Sequence, residues 1–360
     1  AGGFSVMPGG LTRVSTAAGD PVVSVQSGGG SKDTWILSDG PVSTVSLLTP
    51  SGQPVSIARA SAELPSRIAD NLYWLGRYVE RLEDRMRVLR CVISRMTDEA
   101  ATENTAELVS LLKVLAGLEM IHKKFAGRVP IRELEQEIVG LVYNPQKLGS
   151  VRELGLRIRN IISIVRDRFS TDTWRILNQL QTDSRTRPGR IPLANSLALI
   201  NTLIVDLAAF SGMEMENMTR GHGWRFLDFG RRLERGVNLL NAIKSALHPE
   251  IKNPTVLDPL LEIADSSMTY RRRYLAQAQW ASVLDLLILD KGNPRALAFQ
   301  LATLTEHAAN LPRYEAQSAT LAEQKRIAEL SHVMEAGDLV RMAAIEEPRR
   351  EQHPAEQQGG

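Results

Sequence analysis

Between Ile68 and Met96 the apolar residues Ile68, Leu72, Leu75, Val79, Leu82, Met86, Leu89, Ile93 and Met96 fall at alternating steps of four and three. That spacing is the seam of one long amphipathic helix, which must be buried against other helices to be stable. Pro65 suits its first turn. Inside the seam stands Gly76-Arg77-Tyr78-Val79-Glu80-Arg81, and the same element returns as Gly230-Arg231-Arg232-Leu233-Glu234-Arg235. Aligned on it, Leu72, Leu75, Val79, Met86 and Leu89 correspond to Phe226, Phe229, Leu233, Leu240 and Ile243, which reads as a duplicated helical unit.

Helix-period patterns continue over 105–118, 131–142, 148–169, 172–180, 192–219, 224–247, 255–270, 273–289, 294–310 and 319–344, with most Pro and Gly punctuation between them. Residues 1–50 differ: Phe4-Ser5-Val6-Met7, Val22-Val23-Ser24-Val25 and Thr34-Trp35-Ile36-Leu37 are β-like runs separated by Pro8-Gly9-Gly10, Gly19-Asp20-Pro21 and Gly28-Gly29-Gly30. The expected fold is all-α, a multi-helix bundle with internal duplication preceded by a short β-rich segment. Its expected divisions are 1–50, a linker over 51–64, a helical domain over 65–345 and a disordered polar tail over 346–360.

Composition narrows the function. A net charge of +2, from Lys+Arg 43 against Asp+Glu 41, gives no global reason to expect nucleic acid or an anionic membrane as partner. A single cysteine, Cys91, excludes an intrachain disulfide and a multi-Cys zinc site, and with its apolar neighbours it reads as a packing thiol; a reducing, cytoplasmic setting follows. The longest apolar stretch, 191–213, is interrupted by Asn195, Asn201 and Asp206, so no membrane span is expected. The opening Ala1-Gly2-Gly3-Phe4 has neither an initiator Met nor a signal pattern, as expected of a piece of a longer polypeptide.

The repeated element carries the chemistry. Tyr73, Arg77, Glu80, Asp84 and Arg87 form a polar stripe beside the apolar seam, with Glu80 next to Val79. Arg231, Glu234 and Arg235 offer the same groups in the second copy. If the copies pack around an approximate two-fold axis, two Glu/Arg pairs converge on one cleft suited to carboxylate, phosphate or amide groups. The competing reading is structural: such pairs are common as surface salt bridges worth under about 1 kcal/mol, or as buried devices that set helix register. Gly at a helix position costs roughly 1 kcal/mol and points to close approach by a backbone or a ligand.

Arginines also concentrate at Arg157, Arg159, Arg166 and Arg168, at Arg220 and Arg225, and in Tyr270-Arg271-Arg272-Arg273-Tyr274, as anion-site candidates or as solvated cationic faces. The six histidines have no metal-ligand spacing, and no metal site is assigned; His222 reads as a loop residue. Ser27-Gly28-Gly29-Gly30-Ser31-Lys32-Asp33-Thr34 lacks the order of a phosphate loop and reads as a hairpin turn.

The run Ser66-Arg67-Ile68-Ala69-Asp70-Asn71-Leu72-Tyr73-Trp74-Leu75-Gly76-Arg77-Tyr78-Val79-Glu80-Arg81 resembles the opening of the bacterial alpha-E domain family, helical domains named for a Glu-Arg motif. Val165-Arg166-Asp167-Arg168 with Trp174, Met218-Thr219-Arg220, Trp224-Arg225-Phe226-Leu227, the second Gly-Arg element, Asp265-Ser266 and Thr269-Tyr270-Arg271 extend the resemblance over about 65–345. Ser5-Val6-Met7-Pro8-Gly9-Gly10-Leu11-Thr12-Arg13-Val14 and Gly28-Gly29-Gly30-Ser31-Lys32-Asp33-Thr34-Trp35 resemble the C-terminal end of circularly permuted ATP-grasp proteins.

Together these resemblances imply an accessory or binding domain of an ATP-grasp amide-ligase system, recognising a carboxylate-, phosphate- or peptide-bearing ligand or docking the ligase. The alternatives are an enzyme of amide transfer or hydrolysis that uses the Glu-Arg motif, and a purely structural bundle. Candidate catalytic residues are Glu80, Arg81, Glu234 and Arg235; candidate ligand-binding residues are Tyr73, Arg77, Arg166, Arg220, Arg231 and Arg271; Arg13, Lys32 and Asp33 belong to the ATP-grasp end. No cofactor is expected in this chain, ATP and Mg2+ being expected only for a complete ATP-grasp domain. The expected partners are that domain in cis or in trans, a peptide or amino-acid ligand and transglutaminase-like proteins, with no nucleic acid and no membrane.

Overall fold

The thirty-two residues Ser66–Thr97 form a single helix, α1, and the rest of the larger unit is arranged around it. The structure, a computed structural model, describes residues 9–15, 30–37, 39–41, 64–97, 105–127, 129–183, 191–248, 253–311 and 322–335. These fall in two compact units, 1–63 and 64–360. The first contains an antiparallel pair, β1 (Gly9–Val14) and β2 (Gly30–Trp35), in the register Gly9 to Trp35 through Val14 to Gly30. The Gly9-Gly10 break and residues 30–34 of the expected turn are therefore strand, because ladder hydrogen bonds and a cross-strand Thr12–Thr34 hydroxyl contact of 2.5 Å extend the pairing into them. The expected runs at 4–7 and 22–25, the linker residues 51–63 and the tail 346–360 lie outside the described residues.

In the second unit α2 (Thr105–Gly117), α3 (Ile131–Tyr143), α4 (Val151–Ile164), α5 (Thr171–Asp183), α6 (Leu193–Asn217) and α7 (His222–Ala246) follow α1. Then come the short α8 (Leu257–Ile263), α9 (Ser267–Tyr274) and α10 (Trp280–Leu284), and finally α11 (Leu297–Ala309) and α12 (Ala322–Glu335). The α1 seam is buried as its period demands, with Leu72, Leu75, Val79, Met86 and Ile93 fully enclosed by residues that include Ile138, Leu154, Ile158, Leu203 and Phe210. A second cluster joins Leu239, Ile243, Leu257, Leu260, Tyr270 and Leu284. By length and composition α6 is apolar enough to cross a membrane; here it packs against α1, α3 and α5 and buries Ile200, Leu203, Leu207 and Phe210.

Several expected helices are interrupted. The segment 148–169 starts only at Val151, where Ser150 caps the helix by accepting from the Glu153 N–H at 3.1 Å. It stops at Val165, and Arg166–Arg168 is a separate 3-10 turn. The segment 255–270 is divided at Asp265, which adopts a left-handed backbone with φ of 53°. Beyond it α9 runs on to Tyr274 and ends at Leu275, also left-handed with φ of 48°. That reversal wraps the chain around the Tyr270 hydroxyl, which donates to the Gln277 carbonyl at 3.0 Å, accepts from the Gln279 N–H at 3.3 Å and meets Ser282 at 2.6 Å. His222 is the first residue of α7 and not a loop residue. Cys91 is fully buried beside Val92 and Ile93.

The second copy does not bury its apolar residues as the first does. Leu240 is 45% exposed, and Phe229 and Leu233 pack instead around Leu301, Leu304, Ala308 and Ile327. What the copies share is the glycine. A Cβ on Gly76 would overlap the Leu227 carbonyl oxygen and lie 3.0 Å from the Arg231 nitrogen. A Cβ on Gly230 would overlap the Tyr73 carbonyl oxygen and lie 3.2 Å from the Arg77 nitrogen. The two backbones touch reciprocally, and only glycine fits at either position.

Gly76→Ala and Gly230→Ala should each lower unfolding free energy by more than about 2 kcal/mol in urea denaturation, because backbone cannot yield as a side chain does. Gly212→Ala, at an open helical position with nothing near its Cβ, should be neutral or stabilising by up to about 1 kcal/mol.

Candidate functional site

Because α1 and α7 meet at their glycines, the residues that follow on each helix face the other helix. Glu80 and Glu234 are 3% and 2% exposed, so their charges must be met inside the protein. They are met crosswise. Arg77 and Arg81 of α1 both bond Glu234, Arg81 through Nε at 2.6 Å. Arg235 of α7 grips Glu80 with two bonds, Nε to Oε1 at 2.5 Å and Nη2 to Oε2 at 2.8 Å. Arg231 Nε lies 3.7 Å from Glu80 Oε2, and the other end of its guanidinium bonds Glu214 and the Ser211 hydroxyl. Tyr73 lends its hydroxyl to Arg77 at 2.8 Å.

Two further ionic groups extend this centre. Arg87 joins Glu83 at 2.9 Å and Asp265 at 3.0 Å, while Arg295 from the far end of the chain bonds the same two carboxylates at 3.0 and 3.2 Å. On the opposite side of α7, Asp228 accepts from Arg232 at 3.1 Å and meets His307 Nε2 at 2.7 Å. Burial alone would raise Glu83, but Arg295, Arg235, Arg87 and Arg231 outweigh it and bring the carboxyl down to about 2. Burial also opposes ionisation of Asp228, yet the bond from His307 and the charges of Arg232 and Arg231 hold it well below the usual carboxylate range. At Glu214 burial prevails over Arg231 and the shift is upward.

Asp84, one position beyond Glu83, takes the opposite course. It has no hydrogen bond or ion pair with any described residue. Burial pushes its carboxyl up to about 7, with Glu80, Glu234 and Glu83 adding to the rise and Arg85 opposing it. Asp84 and Asn238, which occupy equivalent positions in the two copies, border two spaces. One is a cleft of about 40 Å³ between Glu80, Glu83, Arg87, Arg235 and Arg295, room for one or two waters. The other is a groove of about 830 Å³ reaching α2. No group of three or more metal-ligating side chains occurs among the described residues.

The expected site residues are thus only partly assembled. Glu80, Arg81, Glu234, Arg235, Tyr73, Arg77 and Arg231 come together. Arg166, Arg220 and Arg271 belong elsewhere: Arg166 lies 4.8 Å from the Trp174 ring, Arg220 lies 4.4 Å from the Trp224 ring, and exposed Arg271 lines a concavity with Asp258 and Tyr270. The first two find planar aromatic faces for their guanidinium planes, and Arg271 points outward from a short helix. In the other unit Arg13, Lys32 and Asp33 stand on the β1–β2 pair opposite Ser31, Thr12 and Leu11. Sequence reasoning missed Glu83, Glu214, Asp228, Asp265, Arg295 and His307; only the position of Asp84 in the polar stripe hinted at its place.

Comparison with known proteins agrees with this geometry. Residues 64–354 match the Alpha-E family, described as a predicted alpha-helical domain with a conserved ER motif, and the chain belongs to that family. It is similar to the uncharacterized protein Rv2567 of Mycobacterium tuberculosis, 26% identical over 333 residues that cover 86% of this chain and 37% of that protein. The uncharacterized protein Mb2597 of Mycobacterium bovis matches to the same extent, so the chain spans about 37% of the length of these relatives. A 32-residue stretch is 62% identical to part of the uncharacterized protein Rv2411c of Mycobacterium tuberculosis, 9% of this chain and 6% of that one. No solved structure matches.

Asp84 makes stability fall with rising pH. Its carboxyl ionises near 3.8 in the unfolded chain and at about 7 in the folded one, so its cost is absent below the lower value, grows between the two and is complete above the higher. Asp84→Asn should leave stability nearly unchanged at about pH 4 and raise it by about 1–2 kcal/mol at about pH 8, measured by urea denaturation.

Proposed function

We propose that this Alpha-E domain is a binding or docking module of an ATP-grasp amide-ligase system, and that its doubled Gly-Arg-x-x-Glu-Arg element is the clamp that shapes the module. The observation that carries this reading is the crosswise capture of Glu80 and Glu234 by guanidinium groups of the opposite helix. A general base needs a lone pair within reach of a substrate proton. Here Arg235 occupies both oxygens of Glu80, while Arg77 and Arg81 occupy those of Glu234. Breaking a buried pair of this kind costs about 3–5 kcal/mol, enough to set the fold and too much to be undone in a turnover step.

The shares of relatives and chain support a domain acting within a larger protein. In this reading the ligase chemistry, with its ATP and Mg2+, belongs to a complete ATP-grasp domain, of which Arg13, Lys32 and Asp33 mark the final strands. The ligand is a carboxylate-, phosphate- or peptide-bearing molecule, or the ligase surface itself. A second reading, general acid–base catalysis, is favoured by one observation only: the unpaired Asp84 carboxyl, near 7, at the edge of an open groove.

Glu80→Gln and Glu234→Gln separate these readings when placed in the longer polypeptide and assayed for both melting and ATP-dependent ligation. The clamp predicts a loss of roughly 3 kcal/mol or more in stability, with turnover lost only in proportion to the unfolded fraction. Unchanged melting with turnover down by about 100-fold would make them catalytic. A comparable fall in Asp84→Asn alone, with melting intact, would carry the second reading.

A further inference from the structure

The groove beside the clamp is enclosed by α1, α2, α7 and the 3-10 turn Lys123–Ala126. Its 830 Å³ lies in the range of small-molecule sites. At the far end α2 is seated on α7, where a Cβ on Gly117 would approach the Ser245 hydroxyl to 2.8 Å. Among the described residues the lining brings Arg85, Lys113, Lys123 and Lys244 together with two carboxyls, Asp84 and Glu119.

Two groups in this lining are placed to donate to a ligand. Arg85 is partly buried and has no hydrogen bond or ion pair with a described residue, although every other arginine at the centre of the clamp is engaged. The Asn238 amide nitrogen is buried and has no acceptor among the described residues. A buried donor without an acceptor is costly, and the Asn238 amide and the Arg85 guanidinium border the same space.

We propose that this groove binds a small phosphorylated molecule, with Arg85 and Asn238 donating hydrogen bonds to the phosphate and Lys113, Lys123 and Lys244 supplying charge around it. This rests on the binding-module reading and names its ligand. A phosphate group offers more acceptor oxygens to the donors gathered here than a carboxylate, which offers two. A guanidinium fork provides directional bonds to phosphate oxygens, and lysines provide point charges that tolerate variation in the rest of the ligand.

Calorimetric titration of the whole chain with inorganic phosphate and with pyrophosphate, in low salt at about pH 8, tests the site. The expected result is one saturable site, weakened by about tenfold or more in Arg85→Gln and in Lys244→Gln with melting unchanged, and unaffected by Arg175→Gln. Arg175 is an exposed residue outside the groove, paired with Asp172. Absence of saturable binding overturns the proposal, as does equal weakening by Arg175→Gln. Acetate binding as tightly as phosphate overturns the phosphate assignment. Each of these failures occurs in a chain whose clamp is intact, so the binding-module reading stands or falls separately, on the glutamate variants.

Discussion

Two glycines let α1 and α7 approach until backbone meets backbone, and the rest of the larger unit follows from that contact. Gly76 rests on the Leu227–Arg231 backbone and Gly230 on the Tyr73–Arg77 backbone, which fixes both the separation and the register of the two helices. Register then decides the charges. At this spacing Glu80 reaches Arg235 and Glu234 reaches Arg77 and Arg81. A wider spacing would leave both carboxylates buried and short of partners, at a cost of several kcal/mol each. Glycine and ion pair are therefore one device: close approach makes the buried charges tolerable, and the charges penalise any other approach.

Partner geometry, and not depth of burial, sorts the acids around this device. Glu83 and Asp84 are neighbours on one helix and both are opposed by burial. Glu83 meets Arg87 and Arg295 and remains an anion down to about 2. Asp84 makes no bond to those cations and borders the groove as well as the small cleft, and its proton is held to about 7. The first stabilises the ionic centre; the second weakens the folded state above neutrality. Arg85, beside Asp84 on the wall of the groove, opposes that upward shift by its charge and makes no direct bond to a described residue.

The long helix was legible because its seam is strictly periodic and buried from Leu72 to Ile93, and the close approach at the glycines was legible because a helical Gly costs stability unless something lies close. The crosswise pairing was expected only in outline. Its outer members escaped notice because Glu214 lies near the end of a mostly apolar helix, while His307 and Arg295 meet partners 79 and 212 residues away. The arginine runs misled for the opposite reason: Arg166 and Arg220 find contacts close by in the chain, against Trp174 and Trp224. The expected helices 255–270 and 273–289 have other bounds because neither the left-handed Asp265 nor the turn after Tyr274, held by the Tyr270 hydroxyl, is marked by Gly or Pro.

The claim that the repeated element locks two helices together is tested most directly by a double-mutant cycle on Glu80 and Arg235, using Glu80→Gln, Arg235→Gln and the pair, with unfolding free energies from urea denaturation. The clamp predicts a coupling energy of about 2 kcal/mol or more across the α1–α7 contact. A coupling below about 0.5 kcal/mol, the level of independent sites, would contradict it.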